Sequence, residues 1–156
     1  MRDDFERYEV TRDGYVVSDD ASRLDIDVIH AFLTQDAYWS RGVDRERVRR
    51  AIEHSLCLGL YAADGEQLGF ARVIADRATF AWLCDVFVVP TARAQGLGKW
   101  LCQVVVDHPD LQGLRRLLLA TADAHDLYSV LGFAALAKPD RFMERYHPAR
   151  ELYGSG

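Results

Sequence analysis

The chain has few cysteines, few prolines and no net positive charge, and each lack excludes something. Three cysteines, Cys57, Cys84 and Cys102, lie far apart in no CxxC or Cys/His cluster. That excludes a disulfide framework and a zinc-type site, and no metal is expected. Buried free thiols of a reducing compartment are the expectation, and the chain is read as cytoplasmic. The formal charge of -5 argues against a nucleic-acid partner, which needs a broad basic footprint. No apolar run approaches a membrane span, and "MRDDFERYEV" carries no apolar core or cleavage pattern, so no membrane partner and no leader are expected. With only 4 prolines and no low-complexity tract or linker, residues 1–156 read as a single domain with a core over about 15–146. Any anion site must therefore be local, built from backbone amides and one or two cations.

What is present is an alternation of short apolar runs and helical patterns. "GYVVSDD" reads as a first strand, and "DIDVIHAFLTQDAYW" as a helix capped by Asp25. A second helix starts at Asp44, with Val48, Ala51 and Ile52 on one face. Asp64-Gly65 is the turn of a hairpin within "LCLGLYAADGEQLGFARVIAD". "ATFAWLCDVFVVP" is apolar on both alternating faces, as in a central strand covered on both sides. A helix follows with Leu97, Trp100, Leu101, Val104 and Val105 on one face. "LRRLLLAT" reads as a buried strand, "DAHDLYSVLG" as a short helix closed by Gly132, and "FAAL" and "RFMERY" as late strands. The class is α/β, with a mixed sheet flanked by helices.

The most informative stretch is "VFVVPTARAQGLGKWL". A strand, a glycine-bearing loop and a helix start form an anion site, because first-turn amides lack intrahelical partners and stand at the positive end of the macrodipole. Gly96 and Gly98 open the backbone to a ligand, and Arg93 and Lys99 add charge; the plain alternative is a tight strand-to-helix connection. Neither the dinucleotide nor the nucleoside-triphosphate glycine pattern is present.

Arg93-Ala-Gln-Gly96-Leu-Gly98 resembles the acetyl-CoA signature Q/R-x-x-G-x-G/A of the GNAT (Gcn5-related) N-acetyltransferases. Ala124, Tyr128, Gly132 and Phe133 resemble the downstream A-x-x-x-Y-x-x-x-G-F segment of the same family. The resemblance implies the GNAT-like acyltransferase fold, with a central, mostly antiparallel sheet. It also implies acetyl-CoA as co-substrate and transfer of the acetyl group to a primary amine of a small-molecule or peptide acceptor in a ternary complex. Its pyrophosphate would lie on the loop from Arg93 through Ala94, Gln95, Gly96, Leu97 and Gly98 to Lys99, and its pantetheine arm along Val86, Phe87 and Val88. Dimers are common in the family. One departure is Thr121, where many members carry asparagine.

For the chemistry, Tyr128 is the candidate acid, with a ring packed in the core as the alternative. Asp85, a lone carboxylate in an apolar strand, needs either a partner or a cleft. It is the candidate base, against an ion pair with Arg72, and His125 is a further candidate. Tyr38 and Trp39 in "DAYWSRG" suggest an aromatic wall for the acceptor, or a lid on the core. A catalytically inactive acyl-CoA-binding module is the rival function.

Overall fold

The computed structural model describes residues 6–154; residues 1–5, half of the stretch read for a leader, lie outside the described residues. Six strands form one sheet in the order of the chain: β1 (Glu9–Arg12), β2 (Tyr15–Ser18), β3 (Leu56–Tyr61), β4 (Gln67–Ala75), β5 (Phe80–Val88) and β6 (Arg116–Leu118). Neighbours from β1 to β5 are antiparallel, and β6 runs parallel to β5 through Phe80–Trp82 opposite Arg116–Leu118. The parallel pair follows from the helical crossover between them, whereas hairpins join most of the others. Among the described residues no helix is long and apolar enough to cross a membrane.

The helices are α1 (Ile26–Ala31), α2 (Arg45–Glu53), α3 (Leu97–Asp107), α4 (His125–Val130) and α5 (Ala149–Leu152). The side chain of Asp25 accepts from the amides of Asp27 and Val28, and that of Asp44 from the amide of Arg47, so both expected caps are formed. The predicted first helix is shorter than expected, because after Ala31 it widens into a π turn over Phe32–Asp36. All five residues assigned to the inner face of α3 are buried. Gly132 closes α4 in the left-handed region, with its own amide bonded to Ser129 and that of Phe133 to Tyr128.

Two corrections concern the ends of the sheet. The strand expected in "GYVVSDD" is formed as β2, but it is not the first: β1 precedes it in a hairpin whose Asp13-Gly14 turn is left-handed at both positions (φ 52° and 85°). Neither "FAAL" nor "RFMERY" forms a strand: the chain after Gly132 runs outside the sheet, and "LRRLLLAT" pairs only over Arg116–Leu118. Extended propensity alone does not make a strand when no neighbouring edge is in register.

Two cores sandwich the sheet. One joins α3 and Tyr128 of α4 to Leu58, Leu60, Val73, Ala81 and Leu83. The other joins Ile29, Leu33 and Val48 to Cys57, Phe70 and Phe87. Strand β5 serves both through a β-bulge. Phe70 pairs with Phe87 and Arg72 with Cys84, which leaves two residues of β5, Asp85 and Val86, opposite Ala71 alone. Asp85 takes φ 54° there. The extra residue reverses the alternation: Ala81 and Leu83 face α3, yet Phe87 faces α1 and α2 while Val86 and Val88 pack towards α3.

Candidate active site

Among the described residues, the side of β5 facing β6 carries no strand partner beyond Trp82, because the β5–β6 ladder ends at Leu118. The free stretch Leu83–Val88 runs into the turn at Pro90 and then into the glycine loop. In that loop Ala94 and Gly96 are both left-handed (φ 64° and 74°). Gly96 is the N-cap of α3, so no side chain caps this helix, and its first turn holds no acid. A Cβ built on Gly96 would meet nothing within 4 Å, so the space over the loop is open. Gly98 is different: its φ is ordinary and an added Cβ would make only an ordinary contact with Val88 at 3.6 Å, so the packing of the chain itself does not demand glycine there. The arrangement presents the amides at the start of α3 to any anion, with Lys99 exposed beside them. An anionic diphosphate fits this donor set on geometry and charge alike.

Around the loop, Arg93 turns back so that its Nε donates to the Val88 carbonyl at 2.9 Å. The Tyr15 hydroxyl donates to Gln95 Oε1 at 3.1 Å, tying the loop to β2. Tyr15 was not foreseen, and nothing in a tyrosine 80 residues upstream marks it.

Tyr128 lies on the same face as α3. Its ring meets Phe133 edge-on at 5.7 Å, and only 9% of the residue is exposed. Burial drives its phenol well above the ordinary tyrosine range, and the neighbouring Cys102 thiol adds to the shift. Burial likewise pushes Cys102 up to about 11. The phenol is thus held protonated, as a donor must be. Its edge reaches a cleft of about 520 Å³ that also includes Thr121 and the exposed His125. Thr121 is used locally, its hydroxyl accepting from the Ala124 amide at 3.0 Å ahead of α4.

On the opposite face lies a smaller cavity of about 180 Å³, walled by α1, α2, Trp39 and Phe70 and bearing Asp85, Arg72 and Arg47. Asp85 Oδ2 accepts from Arg72 Nε at 2.8 Å, and Oδ1 from the Trp39 indole at 3.0 Å. Arg72 also donates to the Ser55 hydroxyl at 3.1 Å. The ion pair with Arg72, one of the two alternatives for Asp85, is therefore formed, and both partners are largely buried. The bulge explains it: Cys84 and Asp85, consecutive in sequence, come onto the Arg72 side together. Trp39 lines the cavity, whereas Tyr38 packs edge-on against it at 5.1 Å and stands outside the lining. Phe87 adds only backbone to the free edge, since its ring stacks on Phe32 at 4.1 Å. The structure thus brings Asp85, Arg72 and Trp39 together and places Tyr128 in a separate cleft.

A family model described as the Acetyltransferase (GNAT) family matches residues 18–133. The chain belongs to the GNAT acetyltransferases. A GNAT-family structure from Xanthomonas campestris pv. campestris, whose acetyltransferase name is provisional, superposes with a TM-score of 0.86 at 52% identity, covering 90% of this chain and 97% of that one. A Gibberella zeae protein with an equally provisional acetyltransferase name is 33% identical over 76% of this chain and 77% of its own length. Serotonin N-acetyltransferase 2, chloroplastic, of Oryza sativa subsp. japonica is 27% identical over 92% of this chain and 74% of its own length. The GNAT match encloses the bulged strand, the glycine loop and Tyr128.

Proposed function

We propose that this GNAT protein moves the acetyl group of acetyl-CoA onto a primary amine, by direct attack with both substrates bound. The observation that carries the reading is the start of α3: a helix with no side-chain cap, no acid in its first turn and a left-handed glycine under open space. The loop from Arg93 to Lys99, through Ala94, Gln95, Gly96, Leu97 and Gly98, would hold the pyrophosphate. Backbone groups of Val86, Phe87 and Val88 would receive the pantetheine arm as an added strand, and a strand N–H could steady the carbonyl oxygen.

Acetyl-CoA supplies an activated thioester. The chain's own part is to bring the amine to it, which replaces an encounter by a positioned attack, and to handle two protons. Tyr128, protonated in its buried seat, gives one to the departing sulfur. The amine loses one before attack, to Asp85 or to His125, directly or through water, and the proton its nitrogen sheds as the intermediate collapses restores the Tyr128 phenol. Trp39, steadied by Tyr38, forms a wall beside the amine. The name of the rice relative is that of an N-acetyltransferase acting on an amine, which supports the amine class without choosing the acceptor.

The rival reading, an acyl-CoA-binding module without catalysis, is favoured by one observation: both oxygens of Asp85 are already engaged. Thiol release from acetyl-CoA over a panel of primary amines, run with thermal shift by coenzyme A, separates the two. Release that depends on an added amine is expected. Stabilisation by coenzyme A without release for any amine would leave the binding module, and neither response would overturn both.

A further inference from the structure

The cavity on the α1/α2 face is small, about 180 Å³, and its walls are mostly apolar: Ile29, Leu33, Val48, Ile52, Phe70 and the Trp39 ring. The polar side chains among them are spent on other protein groups. Trp39 and Arg72 donate to Asp85, Arg72 also to Ser55, and the Ser40 hydroxyl to the Leu33 carbonyl at 2.7 Å. The Arg47 Nε stands 3.7 Å from Asp44. Both arginines of the lining thus already face a carboxylate. Among the described residues Asp85 is the one acid of the lining, and each of its oxygens, having accepted one bond, keeps a lone pair.

The remaining wall comes from far along the chain. Tyr153 lines the cavity from the end of α5, a single turn without a side-chain cap. Its ring packs with the α1/α2 core and lies 5.0 Å from the Arg47 guanidinium. Its backbone passes close to Gly42, where an added Cβ would stand 3.5 Å from the Tyr153 carbonyl oxygen. The cavity is therefore completed by a residue that belongs neither to the sheet nor to the helices packed on it.

We infer that this cavity takes a compact primary amine with an uncharged, apolar body, one ring or a short branched chain, and that Tyr153 limits its length. The inference rests on the acetyl-transfer reading, in which this amine is the acceptor. An apolar cavity of about 150 Å³ takes a benzene ring, so the space here, about 180 Å³, admits one ring and little more. The nitrogen would point to Asp85, in the bulge of β5 beside the free edge proposed for the pantetheine arm. A carboxylate, a phosphate or a second ammonium on the body would lie unpaired against apolar walls, a cost that an uncharged body avoids.

The test compares kcat/KM, by thiol release from acetyl-CoA, for benzylamine, isopentylamine, tryptamine, β-alanine, phosphoethanolamine and putrescine. Benzylamine and isopentylamine should exceed the last three by roughly tenfold or more, because an unpaired charge is costly in an apolar site. Tyr153→Ala should raise tryptamine relative to benzylamine by roughly tenfold, the low end for a steric misfit in such a pocket, with the acetyl-CoA KM unchanged. Tyr153→Leu, used if the alanine variant does not fold, should move the ratio the same way. A wild-type preference for a charged body, or for tryptamine over benzylamine, overturns the inference, and so does a folded Tyr153 variant with an unaltered ratio. If no amine releases thiol, the acetyl-transfer reading fails by itself, and calorimetry of the same amines with coenzyme A present decides about the cavity. Benzylamine bound and β-alanine unbound would then support it; no binding of benzylamine would overturn it.

Discussion

The two faces of the sheet treat their helix ends in opposite ways. On the α1/α2 face each N-terminus is stoppered by its own aspartate, Asp25 or Asp44. On the α3 face the cap is Gly96, with open space in front of it. The stoppered ends have used their anion-binding capacity on the fold itself, while the open end keeps it for something outside the chain. The difference extends to titratable groups. Asp85 on the first face is tied to Arg72 and Trp39, whereas Tyr128 on the second is held neutral by burial. One face has its polar groups tied to one another, while the other keeps an uncapped helix start and a neutral phenol.

The comparison breaks most completely if α3 is given the stopper it lacks. Gly96→Asp should abolish thermal stabilisation by coenzyme A, since a carboxylate would fill the open space and repel the pyrophosphate. The left-handed φ of 74° adds a strain of about 1–2 kcal/mol for a residue with a Cβ, so the unliganded melting temperature must be measured beside it. A full coenzyme A shift in a folded Gly96→Asp protein would place the cofactor elsewhere. Next comes the proposed proton donor. Tyr128→Phe should lower turnover by roughly ten- to a thousand-fold, the range for losing a proton-transfer group, while coenzyme A affinity changes little. Wild-type turnover would reduce Tyr128 to packing against Phe133.

Smaller effects belong to the other face. Trp39→Ala should raise the acceptor KM by about three- to tenfold, in line with roughly 0.5–1.5 kcal/mol for one aromatic contact, and leave the acetyl-CoA KM almost unchanged. Equal changes in both would make the Trp39 loop a lid on the core. Smallest for function is Asp44→Ala, which removes a stopper. It should destabilise the fold by about 1 kcal/mol with no change in coenzyme A binding, read from chemical denaturation beside the thermal shift. Any loss of coenzyme A affinity there would show that the two faces are not separate.

The glycine loop was legible because its signal is local: a strand, a left-handed glycine and a helix start are contiguous, and the physics of an uncapped helix needs nothing else. The caps at Asp25 and Asp44 were legible for the same reason. Asp85 was legible only as a problem, since a carboxylate in an apolar strand demands a solution without naming it. Its resolution depends on a bulge, and a one-residue change of register leaves little mark on composition. Tyr15 and Cys102 could not be found, because their partners Gln95 and Tyr128 become neighbours only in the fold. The late strands failed for the complementary reason: "FAAL" and "RFMERY" have strand composition, but pairing depends on which edge is free, and that is a property of the sheet rather than of the segment.

The bulge at Asp85 also constrains how this strand can evolve. Loops absorb insertions because their backbone bonds to water, and substitutions within β5 can retune either cavity while the backbone stays put. A change of length is another matter. Deleting Asp85 would restore strict alternation with its neighbours on their present faces, Leu83, Val86 and Val88 towards α3 and Phe87 still stacked on Phe32. Both cores would keep their side chains, and what would go is the bulge and the carboxylate held between Arg72 and Trp39. A single-residue gap at this point of an alignment would therefore signal a different site on an unchanged pair of cores.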